Sequence, residues 1–386
     1  MDRTQPHKFL DPLIALVLGI AAFVLYALTL APSVLGGDGG EFQFAPYLLG
    51  VAHPTGYPLY SLLGWHWSHL LPVGDVAYRM NLFSAYWAAL ALAFLYPTTR
   101  ALLRQALLDL SPGLSRLLAV LASFTFALTP TLWSQAVMAE VYGLHIFLLV
   151  LLLYSVLAWA ERADDRFLLL AAACFGLGLA HHSTTLLLAP AILICLWLVD
   201  RQVFRNPRLI VKALLCLLVP LLLYLYIPLR APHTPYLRLP LTEGRDLVLY
   251  ENTPAQFFYF VRGGPFGGSV DFGVDLTQRL GMAGGFLLAE IGWLGLALAL
   301  TGLASLVLNR RWALLALTGV ACVAIVAFNL VYTIGDIYVM YIPAYLILVL
   351  WMVVGVGTLA ALAGRRRVLA VLIVLLFFLP PLWMAG

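Results

Sequence analysis

Between the first two apolar spans of this chain, residues 36–81 read GGDGGEFQFAPYLLGVAHPTGYPLYSLLGWHWSHLLPVGDVAYRMN and place Asp38, Glu41 and His53 among glycines, prolines and aromatics. Ionisable groups beside a membrane are costly and tend to mark function. A carboxylate there, within hydrogen-bonding reach of a hydroxyl and sheltered from bulk water, can act as general base on an alcohol, and Asp38 is placed for that. Four glycines around it allow unusual dihedrals and close approach by a ligand. The bland alternative is that Asp38 is a helix N-cap, with Glu41 completing something like a capping box. HPTGYPLY at 53–60 has two prolines bracketing Gly56 and Tyr57, a rigid turn that would fix His53 as a ligand contact or simply as a structural loop histidine. Arg79 and Asn81, in AYRMN at the end of the loop, are expected to pair with Asp38 or Glu41 or to bind a phosphate; Arg79 could equally snorkel at the interface.

Further along, Glu140 in SQAVMAEVYGLH opens a span, either complementing the helix dipole or adding a second acidic group to an outer cavity. His181 and His182 fall where two short apolar stretches meet. Adjacent residues do not face one way along a helix, so the pair does not make a two-histidine metal site, and one of them contacting a phosphate is the better reading. Arg230 in YIPLRAP and Arg262 in FVRGGPFGG offer planar bidentate contacts to phosphate, and Asp336 in YTIGDIYVMYIP starts another span. These groups together outline a polar cavity. Asp38, Glu41 and Glu140 could supply hard oxygen ligands to a divalent metal, but no dense, regularly spaced acidic cluster like a calcium-binding loop is present, so no cofactor is expected and metal-independent chemistry is the reading.

The elements that hold these residues are read from hydropathy. The 386 residues are 63% hydrophobic and 10% charged, with a mean hydropathy of +0.97. Apolar runs lie near 12–31, 80–98, 116–133, 141–160, 167–181, 184–199, 210–229, 283–308, 312–333, 337–362 and 368–384. That predicts an all-α polytopic membrane protein of about eleven transmembrane helices. The first span follows Arg3 and Lys8 without a cleavage pattern and is expected to stay as an anchor; no soluble domain is expected after the last. With the amino terminus inside, 16 of the 22 Lys and Arg fall on one side and 6 on the other. The positive-inside rule then puts the first loop (32–79) and the second long loop (230–282) outside, on the side of Asp38. YPLYSLLGWHWSHLL suits a short helix lying in the interface, with Tyr60, Trp65 and Trp67 at headgroup level. The net charge of +4 reflects topology and gives no sign of a nucleic-acid partner. All four cysteines lie in predicted spans, where they act as small apolar residues and form neither disulfide framework nor metal site. No internal repeat is evident, which weighs against an inverted-repeat transporter.

At GDGGEF (37–42), GVAHPTGYPLY (50–60), AYRMNLFSA (77–85), LWSQAVMAEVYGLH (132–145), GLGLAHHSTTLLLAP (176–190), YIPLRAP (226–232) and GDIYVMYIP (335–343), the sequence resembles the protein O-mannosyltransferase-like family named for transmembrane protein 260, also known as glycosyltransferase family 117 and domain of unknown function 2723. The stretches keep the family's order over most of the chain. The family usually has Asp-Ser-Gly-Glu where this chain has Asp38-Gly39-Gly40-Glu41, and His-Pro-Pro-Gly where it has His53-Pro54-Thr55-Gly56; a Trp-Gly-Asp-Pro signature after YIPLRAP is replaced by TPYLRLPLTEGRD.

The resemblance implies a single integral domain over 1–386 with a type C glycosyltransferase (GT-C) fold. A sugar, mannose in the simplest case, would pass with inversion from a polyprenyl-phosphate donor in the lipid to a protein or lipid hydroxyl at the extracytoplasmic face. Asp38 would be the general base, and Glu41 and Glu140 are counted with it as catalytic residues. His53, Tyr57, Arg79, Asn81, His181, His182, Arg230, Arg262 and Asp336 would bind substrate, with Arg230, Arg262 and one histidine of the pair stabilising the leaving phosphate. The expected location is a prokaryotic plasma membrane, with the amino terminus cytoplasmic. The competing reading is a flippase of lipid-linked sugars, which needs no base; a non-catalytic subunit has no positive sign in the sequence.

Overall fold

The structure is a computed structural model and describes residues 9–107, 110–242 and 244–363. Helix α1 (Leu10–Leu28) comes first, and α2 (Gly37–Phe44) and α3 (Pro58–Leu70) are short helices of the first loop. Then follow α4 (Val76–Ala106), α5 (Pro112–Ala127), α6 (Pro130–Ala136), α7 (Tyr142–Arg162) and α8 (Asp165–Leu179). A 3-10 turn at Ser183–Leu188 leads into α9 (Ala189–Asp200), α10 (Pro207–Leu218) and α11 (Tyr226–Arg230). The second loop holds antiparallel strands β1 (Arg238–Thr242) and β2 (Arg245–Val248) and helix α12 (Pro254–Val261). The chain then runs through α13 (Leu276–Leu308), α14 (Trp312–Leu315), α15 (Ala321–Val331) and α16 (Ile342–Ala363).

Among the described residues, eight helical segments are long and apolar enough to cross a bilayer, or nine if α5 and α6 count as one bent span. Two of the expected eleven spans differ for physical reasons. Pro130 has no N–H and disfavours helical backbone in Thr129, so the predicted 116–133 span breaks and bends by 69° between α5 and α6. Helix α8 has 15 residues, a length of about 22 Å against roughly 30 Å of hydrocarbon. The predicted 368–384 span lies outside the described residues. The polytopic helical fold stands, with one amendment: the second loop carries the β1–β2 hairpin as well as a short helix. All its described residues are exposed, with Arg238 Nε 3.1 Å from Asp246.

Helices α4, α7 and α16 form the buried centre, whereas α1 and α10 present most of their surface outward, where an apolar face meets lipid at no cost. Small residues set the closest crossing. A Cβ at Gly302 of α13 would lie 1.8 Å from the Trp351 carbonyl oxygen of α16, and one at Gly355 would lie 2.1 Å from that of Leu298. Only glycine lets the two backbones meet there. At the end of the bundle away from α2 and α3, Asp11 Oδ1 ties three helices together. It accepts from Arg100 at 2.6 Å, Tyr96 at 2.7 Å and Arg116 at 2.8 Å.

Candidate active site

A polar chamber of about 520 Å³ opens at the end of the bundle where the first and second loops meet. Asp38, His53 and Tyr57 line it from the first loop, His182 to Thr184 from the break between α8 and α9, Arg262 from the second loop, and Tyr332 and Asp336 from the link between α15 and α16. The sequence signal for these walls was the clustering of ionisable residues in loops on one side.

Helix α2 starts at Gly37, with Gly36 as an N-cap that makes no side-chain cap bond. Asp38 therefore sits in the first helical turn, exposed, and the capping-box reading of Asp38 and Glu41 is incorrect. Glu41 instead turns to the next segment: its Oε1 accepts the backbone N–H of His53 at 2.8 Å and its Oε2 lies 2.5 Å from His53 Nδ1. Burial opposes a charge on His53, yet the Glu41 bond and charge, with the fields of Asp38 and Glu140, hold the imidazole above its ordinary value. Phe42, buried, lies under the pair, with its ring 5.3 Å from His53 and 5.2 Å from both Tyr57 and Tyr60. Tyr60 is fully buried against this ring, which corrects its expected headgroup position; Trp65 and Trp67 stay half-exposed on α3.

Asn81 and Arg79 do not pair with either carboxylate. Asn81 is buried and accepts from Gln43 Nε2 and from the Ala139 backbone N–H, both at 2.9 Å, while donating to the Ala31 carbonyl at 2.8 Å. It joins α2, α4 and the strand of chain that leads to Glu140. The guanidinium of Arg79 donates to the carbonyls of Ser68, Gly74 and Asp75, fastening the end of α3 to the start of α4 away from the chamber. Arg230 similarly donates to the Leu49 carbonyl at 2.8 Å and to that of Leu48. Neither arginine lines the chamber, whereas Arg262 does, exposed and with its guanidinium 5.5 Å from the Tyr259 ring.

Glu140 is half-buried behind the chamber wall, its backbone exchanging hydrogen bonds with the Ser84 hydroxyl. Burial, and then the charge of Asp38, push its carboxyl up to about 8. The two histidines separate. His182 reaches the chamber with Nδ1 2.6 Å from the Thr184 hydroxyl, while His181 turns inward, Nε2 on the Val141 carbonyl at 2.9 Å. Burial lowers His181 to about 4 and His182 to about 3, so near neutrality they offer hydrogen bonds and no charge. Sequence reasoning missed Gln43, Thr184 and Tyr142 as residues of interest, although all three lie inside stretches it had singled out.

Asp38, Glu41 and His53 each present a ligand atom, all within 4.8 Å of one another, a mixed carboxylate and imidazole set that could hold a divalent transition-metal ion. The expectation of a metal-free site had weighed Glu140 in place of His53. Chemically, the chamber joins an exposed carboxylate, the hydrogen-bonded Glu41–His53 pair and the Arg262 guanidinium in a space large enough for a sugar phosphate.

Residues 38–204 match the family described as the Protein O-mannosyl-transferase TMEM260 N-terminal domain. The chain is 25% identical over 319 residues to the Protein O-mannosyl-transferase tmem260 of Dictyostelium discoideum, covering 76% of this chain and 36% of that protein. It is 30% identical over 220 residues to the Protein O-mannosyl-transferase TMEM260 of Mus musculus, covering 56% and 30%. It thus spans about a third of the length of the curated relatives it matches. The fold is like that of ArnT from Cupriavidus metallidurans bound to undecaprenyl phosphate, with a TM-score of 0.61 at 14% identity over 96% of this chain and 71% of that one. The motif resemblance to the TMEM260 family and the GT-C fold it implied are both borne out.

Proposed function

We propose that this protein is a membrane glycosyltransferase that moves a sugar, mannose in the first instance, from a polyprenyl-phosphate donor to a hydroxyl of a protein or lipid at the extracytoplasmic face. The observation that carries the reading is one chamber holding Asp38 and Arg262, with loops from both halves of the chain as its walls. The acceptor oxygen attacks the anomeric carbon with inversion as the bond from that carbon to the phosphate oxygen breaks. The acceptor's proton passes to the Asp38 carboxylate, and the polyprenyl phosphate leaves as an anion beside Arg262, where a fixed guanidinium is complementary to the developing charge. His182 and Thr184 donate hydrogen bonds to the same phosphate, and Tyr57 and Asp336 border the sugar. Arg79, Asn81, Arg230 and His181 act by holding these walls.

The donor class is supported by the fold neighbour ArnT, bound to undecaprenyl phosphate, and the sugar by the O-mannosyl-transferase names of the relatives. The Lys and Arg distribution supports a cytoplasmic amino terminus. The test is reconstitution of the purified chain in liposomes with radiolabelled polyprenyl-phosphate sugars, comparing wild type with Asp38→Asn, with and without a chelator. Transfer or donor hydrolysis lost in the variant is the expected result. Labelled donor crossing the bilayer with no turnover by either protein would replace this reading with a flippase, and rescue by divalent ions after chelation would assign Asp38, Glu41 and His53 as ligands.

A further inference from the structure

A second polar cleft, of about 530 Å³, lies at the opposite end of the bundle. It is lined by the C-terminal ends of α4 (Arg104, Gln105) and α7 (Glu161), and by Arg310, Arg311 and Trp312 from the turn between α13 and α14. By the distribution of Lys and Arg this is the cytoplasmic end.

Three guanidinium groups meet one carboxylate here. Glu161 is fully engaged by Arg104 through paired bonds of 2.5 and 2.7 Å. Arg310 and Arg311 have no ion-pair partner among the described residues. Arg310 has a left-handed backbone (φ 54°), and the Arg311 N–H is held by the Leu306 carbonyl at 2.8 Å, which fixes the tight turn. The Nε of Arg311 is buried with no hydrogen-bond partner. The rest of the Arg311 guanidinium makes no hydrogen bond among the described residues and lines the cleft, where its charge has no acceptor from the protein. Trp312 is half-exposed beside it, the usual place for an indole at a membrane interface. Basic pockets between transmembrane helices on this side suit anionic headgroups, and arginine forks match phosphate oxygens in pairs.

We propose that the cleft between Arg104, Arg310 and Arg311 binds a phosphate-bearing anion at the cytoplasmic surface, separate from the catalytic chamber. The ligand is a phosphate monoanion or diester, from an inner-leaflet lipid headgroup or from solution. Glu161 limits its affinity by occupying Arg104.

The purified full chain in neutral detergent is titrated with phosphatidylglycerol and phosphatidylcholine by native mass spectrometry, and with inorganic phosphate and pyrophosphate by calorimetry. Wild type is compared with Arg310→Gln/Arg311→Gln and with Glu161→Gln. Preferential retention of phosphatidylglycerol, weakened about ten-fold or more in the double variant, is expected for a lipid source, since one charge-assisted hydrogen bond is worth about a factor of ten. The same pattern with the inorganic anions alone assigns a soluble source. Glu161→Gln should tighten the same ligand by freeing Arg104, a gain that misfolding cannot mimic. Equal binding of both lipids together with no response to the inorganic anions, or affinities that the two variants leave unchanged, overturns the proposal.

Discussion

Glu41 grips His53 at two points, the backbone N–H at 2.8 Å and the ring Nδ1 at 2.5 Å. The contact locks α2 to the HPTGY turn twelve residues later, so Asp38, one turn before Glu41, is held against the wall that Tyr57 forms. A carboxylate that needs to meet a substrate hydroxyl within a few tenths of an ångström depends on such support.

Glu41→Gln keeps the shape of the contact and removes its charge. His53, then subject to burial without the compensating carboxylate, should titrate lower than in wild type. The sign for stability follows: a histidine raised in the folded state contributes fully below its unfolded value, near 6.5, and loses that contribution as pH rises through the raised one. Melting temperature against pH should therefore fall through that window in wild type and be flatter in Glu41→Gln. Parallel curves for the two proteins would remove the pair as the cause.

With its carboxyl pushed up to about 8, Glu140 carries a proton at neutral pH. Glu140→Gln mimics that state and should retain most transfer activity at pH 7 while losing any decline of rate that wild type shows above pH 8. For an acid raised in the fold, the folded state holds more protons between about 4.5 and 8, so wild-type stability relative to Glu140→Gln should drop across that interval. A rate reduced a hundred-fold at pH 7 in Glu140→Gln would show instead that the ionised form is required.

Arg262 and Arg230 predict opposite phenotypes. Arg262→Ala, at an exposed chamber-lining residue, should raise KM for the lipid-linked donor or lower kcat by about 10- to 100-fold with little change in melting temperature. Arg230→Ala leaves the carbonyls of Leu48 and Leu49 without their donor and should lower the melting temperature first. Steady-state kinetics beside thermal melts of both variants decide this; the reverse assignment would exchange their roles.

Asn81→Ala removes the acceptor of the Ala139 N–H, the donor to the Ala31 carbonyl and one of the two acceptors of the Gln43 amide at once. A loss of about 2 kcal/mol or more is expected from buried groups left unpaired. Denaturation of the detergent-solubilised chain measures it, and a change below about 0.5 kcal/mol would mean that water replaces the side chain.

Gly302→Ala places a methyl 1.8 Å from the Trp351 carbonyl oxygen, so α13 and α16 must move apart. Overpacking of this kind typically costs about 1–3 kcal/mol. Gly113→Ala, where a Cβ meets nothing within 4 Å, is the matched control. Equal melting temperatures for the two variants would refute the close crossing.

Hydropathy and charge made the membrane-spanning helices, the shared side of the two long loops and the cluster around Asp38 legible, because lipid imposes apolar length and polar loops on the sequence itself. Motif order made the family legible. Hydropathy did not reveal that 116–133 bends at Pro130, since a window average does not register a missing N–H, nor that 238–248 forms a hairpin with neither face buried. Within the site, residue type identified the candidates and the tertiary structure sorted them. Arg79 and Arg262 are both arginines with an aromatic or glycine neighbour in sequence, yet one is engaged by three backbone carbonyls and the other faces the chamber. His181 and His182 are neighbours in sequence and part at the end of a helix, one inward and one toward the cavity. Local sequence determines which groups are available near the membrane surface. Only the packing of α2, α4 and the second loop decides which donors are already satisfied by the protein's own carbonyls and which remain for a substrate.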